Sequence, residues 1–224
     1  MLYGTVSTVS NMRYGTVALG APETGLITAA SAQLAKYYRL PIRSVGGTTE
    51  SKQEDVQAGM ERVWTLLPAV LSGVNLITCA GTLDGSMMES NAMLMLDDEI
   101  AGAILRINRG IEVNDETLGL EMIKRVGYDG NYLTEDHTAV NFRKELFIPD
   151  LLDREPFDSW MDGGKKTAID YAREKVSRIL DSHETYEVDP RLVEDLNRFR
   201  QSVADRDIQD FYLYETEEKQ DLNN

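Results

Sequence analysis

The feature that most restricts this chain is an alternation of short strands and helices. Residues 41–45 (PIRSV) read as a strand closed by Gly46-Gly47-Thr48-Thr49, and a helix over 53–71 follows. Gly73 stops that helix, residues 74–79 (VNLITC) form a second strand, and Gly81, Asp84 and Gly85 make the loop after it. Strand, glycine loop, helix and strand in this order describe βα units of a parallel sheet. Upstream, residues 1–9 (MLYGTVSTV) read as a strand, 10–22 as a loop and 23–38 as a helix. Downstream, residues 89–107 give a helix rich in Met and Leu.

Each helix carries an apolar repeat that predicts its buried face. The repeats are Leu26, Ala30, Leu34, Tyr37 in the first helix and Val56, Met60, Val63, Leu67, Val70 in the second. In the third they are Met93, Leu96, Ile100 and Ile104, a methionine-bearing stripe that reads as core packing. Pro22 and Glu23 suit the first turn of their helix, whereas Pro68 should bend or end its own.

After Ile111 only helices are expected. Asn114 caps one running through Val126, a second spans 166–180, and Asp189-Pro190 opens a third through Val203. Residues 137–161 read as irregular, with Phe157 and Trp160 as aromatic anchors. The expected fold class is therefore α/β. About three strands form the C-terminal portion of a TIM (β/α)8 barrel, which closes with eight, and a helical C-terminal extension follows. The barrel units occupy 1–111 and the extension 112–224, frayed after about residue 215.

Composition excludes several function classes. The net charge is −15 and no basic cluster is denser than Lys165-Lys166, so phosphate backbones and anionic lipids would be repelled. No apolar run approaches a membrane span, and the expected location is the cytoplasm. Cys79 is the sole cysteine and is expected to be a small buried hydrophobe. With His137 and His183 the only histidines, no zinc site is expected. Of the two, His137 in its loop has the stronger claim to a role, though a surface position is the plainer expectation.

In α/β barrels chemistry sits on loops after the C-terminal strand ends. That rule selects Tyr3-Gly4-Thr5 with the loop to Arg13, Gly46-Gly47-Thr48-Thr49-Glu50 with Lys52, Asp55 and Gln57, and Ala80-Gly81-Thr82-Leu83 with Glu89. The GGTTES loop lacks a phosphate-loop lysine pattern, and Glu50 and Asp55 beside it suit a cation better than an anion. Tyr3, Tyr14 and Trp64 could supply faces to an aromatic cage for a quaternary ammonium, a contact worth about 0.5–2 kcal/mol.

These motifs resemble a known family. The stretch YGTVSTVSNMRYGTVALGAPETGLITAASAQLAKYYRLPIRSVGGTTESKQEDVQAGME is similar to the trimethylamine:corrinoid methyltransferase family, with similarity running from Tyr3 through about Ser177. Gly20-Ala21-Pro22-Glu23, Leu40-Pro41 and Asp55-x-Gln57-Ala58-Gly59-x-Glu61 carry it, and HTAVNFRKELFIPDLLDREPFDSW looks like the tail of members acting on quaternary amines. The resemblance implies a (β/α)8 barrel that moves a methyl group from a methylated amine to the Co(I) of a corrinoid protein, with roughly five preceding strands absent. It also implies that the corrinoid (cobalamin) is carried by that partner protein. The position matching the family's pyrrolysine is Thr48, so the chain resembles the non-pyrrolysine branch whose members demethylate glycine betaine or related quaternary amines.

On this reading Tyr3, Thr48, Thr49, Glu50, Asp55, Gln57 and Glu89 are the expected substrate-binding residues. Thr48, Thr49 and Glu50 line the pocket, Asp55 and Gln57 brace the loop, and Tyr3 packs on the ammonium. The competing expectation is a non-catalytic partial barrel that binds a small cation or assembles with a copy of itself or a companion chain.

Overall fold

The computed structural model describes residues 1–182 and 188–206. Residues 1–181 form one compact unit and 182–224 a second. The first is built on a three-stranded parallel sheet of β1 (Tyr3–Gly4), β4 (Ile42–Val45) and β5 (Leu76–Thr78), in that order. Tyr3 pairs with Ile42, and Arg43, Ser44 and Val45 pair with Leu76, Ile77 and Thr78. The crossovers are α1 (Pro22–Tyr37) and α2 (Val56–Leu71), with α3 (Asn91–Arg109) after β5.

One face of the sheet carries the helices. Ile42 packs with Ala32 and Ala35 of α1, and Thr28 and Ser44 share a buried hydrogen bond of 2.9 Å. Side chains alternate along a strand, so Arg43 and Val45 belong to the opposite face. Leu76, the partner of Arg43, stands half exposed.

Several elements depart from the sequence reading. The strand expected over 1–9 pairs with the sheet only at Tyr3–Gly4, and the loop expected over 10–22 holds an antiparallel hairpin of β2 (Val9–Asn11) and β3 (Thr16–Ala18). Its turn is closed by the Tyr14 and Gly15 N–H groups donating to Asn11 O, and Gly15 takes φ +71°. A second hairpin, β6 (Thr82–Leu83) and β7 (Met88–Glu89), lies between β5 and α3.

The faces of α1 and α2 are the larger correction. α1 buries Thr24, Gly25, Thr28, Ser31, Ala32 and Ala35, and leaves Leu26, Leu34 and Tyr37 exposed. α2 buries Ala58, Glu61, Arg62, Thr65, Leu66 and Ala69, and leaves Val56, Met60 and Val63 exposed. Most inward side chains are small, Glu61, Arg62 and Leu66 of α2 excepted, and this lets the helices lie close to each other and to the sheet. The expected core of α3 fares better, since Met93 and Ile104 are buried and Leu96 packs against Ala58, Leu83 and Met93.

Close approach is tightest at Gly25. A Cβ there would stand 2.5 Å from Trp64 O and 3.0 Å from Pro68 Cγ. Pro68 lies in the last turn of α2, which continues to Leu71. Having no N–H, Pro68 leaves the Trp64 carbonyl without its helical donor, and α1 fills the space beside it. Gly25→Ala is expected to force the helices apart and cost about 1–3 kcal/mol, read as a lower urea midpoint with unchanged slope.

The remainder of the first unit is helical among the described residues: α4 (Asp115–Leu118), α5 (Leu120–Val126), α6 (Asp136–Glu145), α7 (Phe157–Asp162) and α8 (Ala168–Asp181). Asn114 caps α4 in a reciprocal pair with Thr117, but the expected single helix breaks at Gly119, which adopts the left-handed conformation. The irregular stretch expected over 137–161 contains most of α6 and most of α7. α8 packs along α3, burying Ala172 with Ala92 and Leu151. Glu99 holds the intervening segment by accepting from Asp150 N at 2.9 Å and Leu151 N at 3.4 Å.

In the second unit α9 (Pro190–Ala204) begins at the Asp189 cap, whose carboxylate accepts from Arg191 N at 2.9 Å. His183 and the stretch expected to fray after about 215 lie outside the described residues. No described helix is long and apolar enough to cross a membrane.

Candidate functional site at the strand ends

Two loops leave the C-terminal ends of β4 and β5, and a hydrogen-bond network joins them to the loop before α1. Gly47, at φ +70°, turns the chain after β4. Thr48 and Thr49 follow and are fully buried. Thr48 Oγ1 donates to Leu19 O at 2.7 Å, and its N–H donates to Thr65 Oγ1 at 3.2 Å. Thr49 Oγ1 donates to Glu61 Oε2 at 2.7 Å and accepts from Ser51 N at 3.0 Å.

Glu61 is the centre of this network. Its Oε2 also accepts from Glu50 N at 2.6 Å, and Oε1 accepts from Gln57 Nε2 at 2.9 Å. A buried carboxylate is tolerable when its lone pairs are filled in this way. Gly20 is gripped from both ends: its N–H donates to Glu50 Oε1 at 3.1 Å, and its carbonyl accepts from Trp64 Nε1 at 2.6 Å. A Cβ on Gly20 would collide with Glu61 Oε2 and come within 2.9 Å of Glu50 N, so only glycine permits this contact.

The loop after β5 is tied in separately. Gly85 N donates to Thr49 O and Asp84 N to Ser51 O, each at 2.8 Å, and Lys52 pairs with Asp84 at 3.0 Å. Beneath it lies a buried ion pair, Arg62 Nε to Asp97 Oδ1 at 2.6 Å. Arg62 Nη2 donates to Thr82 O, and Asp97 Oδ2 accepts from Gly81 N at 2.6 Å. Burial pushes the Asp97 carboxyl above its ordinary range, while the Arg62 guanidinium and the Gly81 N–H pull it back. Arg62 Nη1 is buried without a hydrogen-bond partner.

Two further contacts set the entry to α2. Asp55 caps it, accepting from Ala58 N at 2.8 Å, and this bond holds its carboxyl below the usual value. Glu54 accepts from Ser90 Oγ at 2.7 Å and pairs with Arg173 of α8 at 3.4 Å, which lowers its carboxyl as well.

The expected site residues thus divide. Thr48, Thr49, Glu50, Asp55 and Gln57 come together in one loop and the first turn of α2, with both threonine hydroxyls occupied inside the protein. Tyr3 is partly exposed on β1, and Glu89 is exposed on β7. The three candidate cage aromatics are not gathered: Trp64 is bound to Gly20 O, and Tyr14 stands on the hairpin under Arg13. Among the described residues the ring pairs are instead Tyr37–Tyr38 and Phe157–Trp160. Cys79, expected to be buried, is half exposed with φ +85°, because the chain turns sharply as it leaves β5. His137 lies on α6 with Nε2 3.0 Å from Glu116 O. No described cluster of three or more His, Cys, Asp or Glu could hold a metal ion.

Sequence reasoning gave Glu61, Arg62 and Asp97 no role. The available signal was faint: Glu61 and Arg62 are the only charges in α2, adjacent and on the side of Ala58 and Ala69.

Comparison with known proteins fits these loops into a family. A family model described as Trimethylamine methyltransferase (MTTB) matches residues 1–206. The glycine betaine methyltransferase of Desulfitobacterium hafniense (strain Y51) is 37% identical over 200 residues, covering 89% of this chain and 42% of the relative. The trimethylamine methyltransferase MttB of Methanosarcina barkeri (strain Fusaro / DSM 804) is 36% identical over 206 residues, 91% of this chain and 40% of the relative. MttB of Desulfitobacterium hafniense (strain DSM 10664 / DCB-2) is 38% identical over 183 residues, 82% of this chain and 37% of the relative. The chain therefore spans about two fifths of the length of these relatives, and on the family match and these identities it belongs to the trimethylamine methyltransferase family.

Proposed function

We propose that this chain is part of a methyltransferase that passes a methyl group from a quaternary amine, such as glycine betaine, to the Co(I) of a corrinoid protein. The observation that carries the substrate class is Glu50. Its carboxylate is half-buried in the loop after the central strand, fixed by Gly20 N, and has no cationic partner among the described residues. A positively charged ligand completes such a group, whereas an anion would be repelled. The relative named glycine betaine methyltransferase supports the same class.

The chemistry suits what this loop offers. Attack of Co(I) on the methyl carbon breaks the C–N bond, and the electron pair leaves on nitrogen as a neutral tertiary amine. A quaternary nitrogen is already a cationic leaving group, so the protein needs to orient it and tolerate its charge, with no general acid. Thr48, buried with its hydroxyl on Leu19 O, supplies no electrophile. The network around Glu61 keeps Thr49 and Glu50 in place, and Asp55 and Gln57 brace that loop from α2; Tyr3 pairs with Ile42 at the start of β4 and Glu89 with Thr82 in the second hairpin. The corrinoid is a substrate brought by the partner protein.

In this proposal residues 1–111 are the last βα units of a (β/α)8 barrel. The half-exposed Leu76 and the edges of β1 and β5, unpaired among the described residues, support completion of the sheet by further strands, from the same polypeptide or a companion chain.

Calorimetry tests the substrate class on an assembly with the sheet completed. Glycine betaine should bind, and Glu50→Gln should weaken it by about tenfold, the loss of one partly screened charge contact. Equal binding by wild type and Glu50→Gln would overturn the role of Glu50.

A further inference from the structure

We infer that Asp84 is a positioning residue of this site: it holds the ammonium of Lys52 away from the Glu50 carboxylate and so keeps that carboxylate open to a quaternary ammonium. The inference rests on the reading of Glu50 as the contact for a cationic substrate.

Lys52 is the only lysine or arginine in residues 46–55 and 79–90, the stretches that carry the two strand-end loops. Its Nζ donates to Glu50 O at 2.7 Å and pairs with Asp84 Oδ1 at 3.0 Å. The ammonium thus rests on the backbone of the residue whose carboxylate it leaves alone. Two more cations reach these loops among the described residues, and each is likewise held by a carboxylate other than Glu50. Arg62 pairs with Asp97 at 2.6 Å and Arg173 with Glu54 at 3.4 Å.

Backbone contacts put Asp84 where this task needs it. Its N–H donates to Ser51 O and that of Gly85 to Thr49 O, each at 2.8 Å, so the turn is fixed beside residues 49–51. A Cβ on Gly85 would stand 3.5 Å from Glu50 Oε1, which shows that the chain bearing Asp84 runs past the carboxylate itself. Asp84 has φ +50°, a conformation that aspartate and asparagine adopt more readily than most residues.

Competition gives the pairing its consequence. The Lys52 side chain is 65% exposed, so packing among the described residues does not fix it, and an exposed ion pair adds little to folding stability. Released from Asp84, the ammonium remains tethered two residues from Glu50 and competes there at an effective concentration on the order of millimolar. It also carries three N–H donors, whereas a quaternary ammonium has none to offer a carboxylate. A free lysine would therefore occupy Glu50 at the expense of the proposed substrate class, and Asp84 prevents this by giving the lysine a carboxylate already in place.

Calorimetric titration of glycine betaine into the assembly with the sheet completed tests this on Asp84→Asn, Lys52→Met and the double variant, with Glu50→Gln as reference. Asp84→Asn should weaken binding by about threefold, with the melting temperature nearly unchanged because asparagine is isosteric and suits the backbone. Adding Lys52→Met to Asp84→Asn should restore the wild-type affinity, while the same change in the wild-type background should have a clearly smaller effect. A folding role for Asp84 is not reversed by removing a second side chain. Wild-type affinity in Asp84→Asn, or an equal effect of Lys52→Met in both backgrounds, would overturn the inference, the latter because the two charges then act independently. When either result accompanies weakened binding by Glu50→Gln, the reading of Glu50 stands; wild-type binding by Glu50→Gln overturns both together.

Discussion

Replacing Asp97 with alanine is expected to destabilise the chain by about 3–5 kcal/mol, the largest single-residue effect in the protein. The substitution leaves the Arg62 guanidinium fully buried with no counter-charge, and it removes the acceptor of the Gly81 N–H. Nη1 of Arg62 already lacks a partner, so the remaining Nη2 bond to Thr82 O would have to hold the charge alone. Exchanging the pair for leucine at 62 and methionine at 97 should cost far less than either single change, because both desolvation penalties vanish together. Urea unfolding of the two single variants and the double variant checks this. A double variant as damaged as the sum of the singles would show that the pair is not the coupled unit its geometry describes.

Glu61→Ala carries the second largest expected effect. It strips the acceptor from Thr49 Oγ1 and Glu50 N inside the loop after β4, and from Gln57 on α2. Two buried donors left unmade cost about 1–3 kcal/mol each, partly offset where water enters beside Gly20. Loss of about 2–4 kcal/mol in urea unfolding is expected, with loosened amide protection concentrated in residues 48–51. Glu61→Gln preserves an acceptor oxygen and should recover part of the loss. Uniform protection across the loop in Glu61→Ala would contradict the central place given to this carboxylate.

Element order was largely legible because it is written locally. Gly46-Gly47, Gly73 and Asp189-Pro190 stop and start the chain through their own backbone preferences, and the structure breaks where they stand. The faces of α1 and α2 were illegible for a physical reason. Each helix offers two candidate faces: a stripe of large apolar residues, and a face of Ala, Thr and Ser that in α2 includes Glu61 and Arg62. Periodicity favours the large residues. The structure buries the small ones because they allow close packing, and because partners distant in sequence satisfy the two charges: Thr49 and Glu50 for Glu61, Asp97 and Thr82 for Arg62. The hairpin at Val9–Ala18 was missed for want of a two-residue Asn-Gly turn, its Asn11 and Gly15 being set four apart.

That Thr48, Thr49, Glu50, Asp55 and Gln57 share one loop and the first turn of α2 was legible, since it follows from βα topology. The partners of those side chains were not legible. Whether a threonine faces ligand or protein depends on carbonyls such as Leu19 O, supplied from a loop that no local pattern connects to it.

The most direct test of the proposed function is to mix cob(I)alamin with an assembly containing this chain and its completed sheet, supplying in turn glycine betaine, other quaternary amines and trimethylamine. The account predicts loss of the Co(I) absorption and growth of methyl-Co(III) with a quaternary amine, and none with trimethylamine. Absence of methyl-Co(III) with every quaternary amine, or equal turnover of trimethylamine, would contradict it.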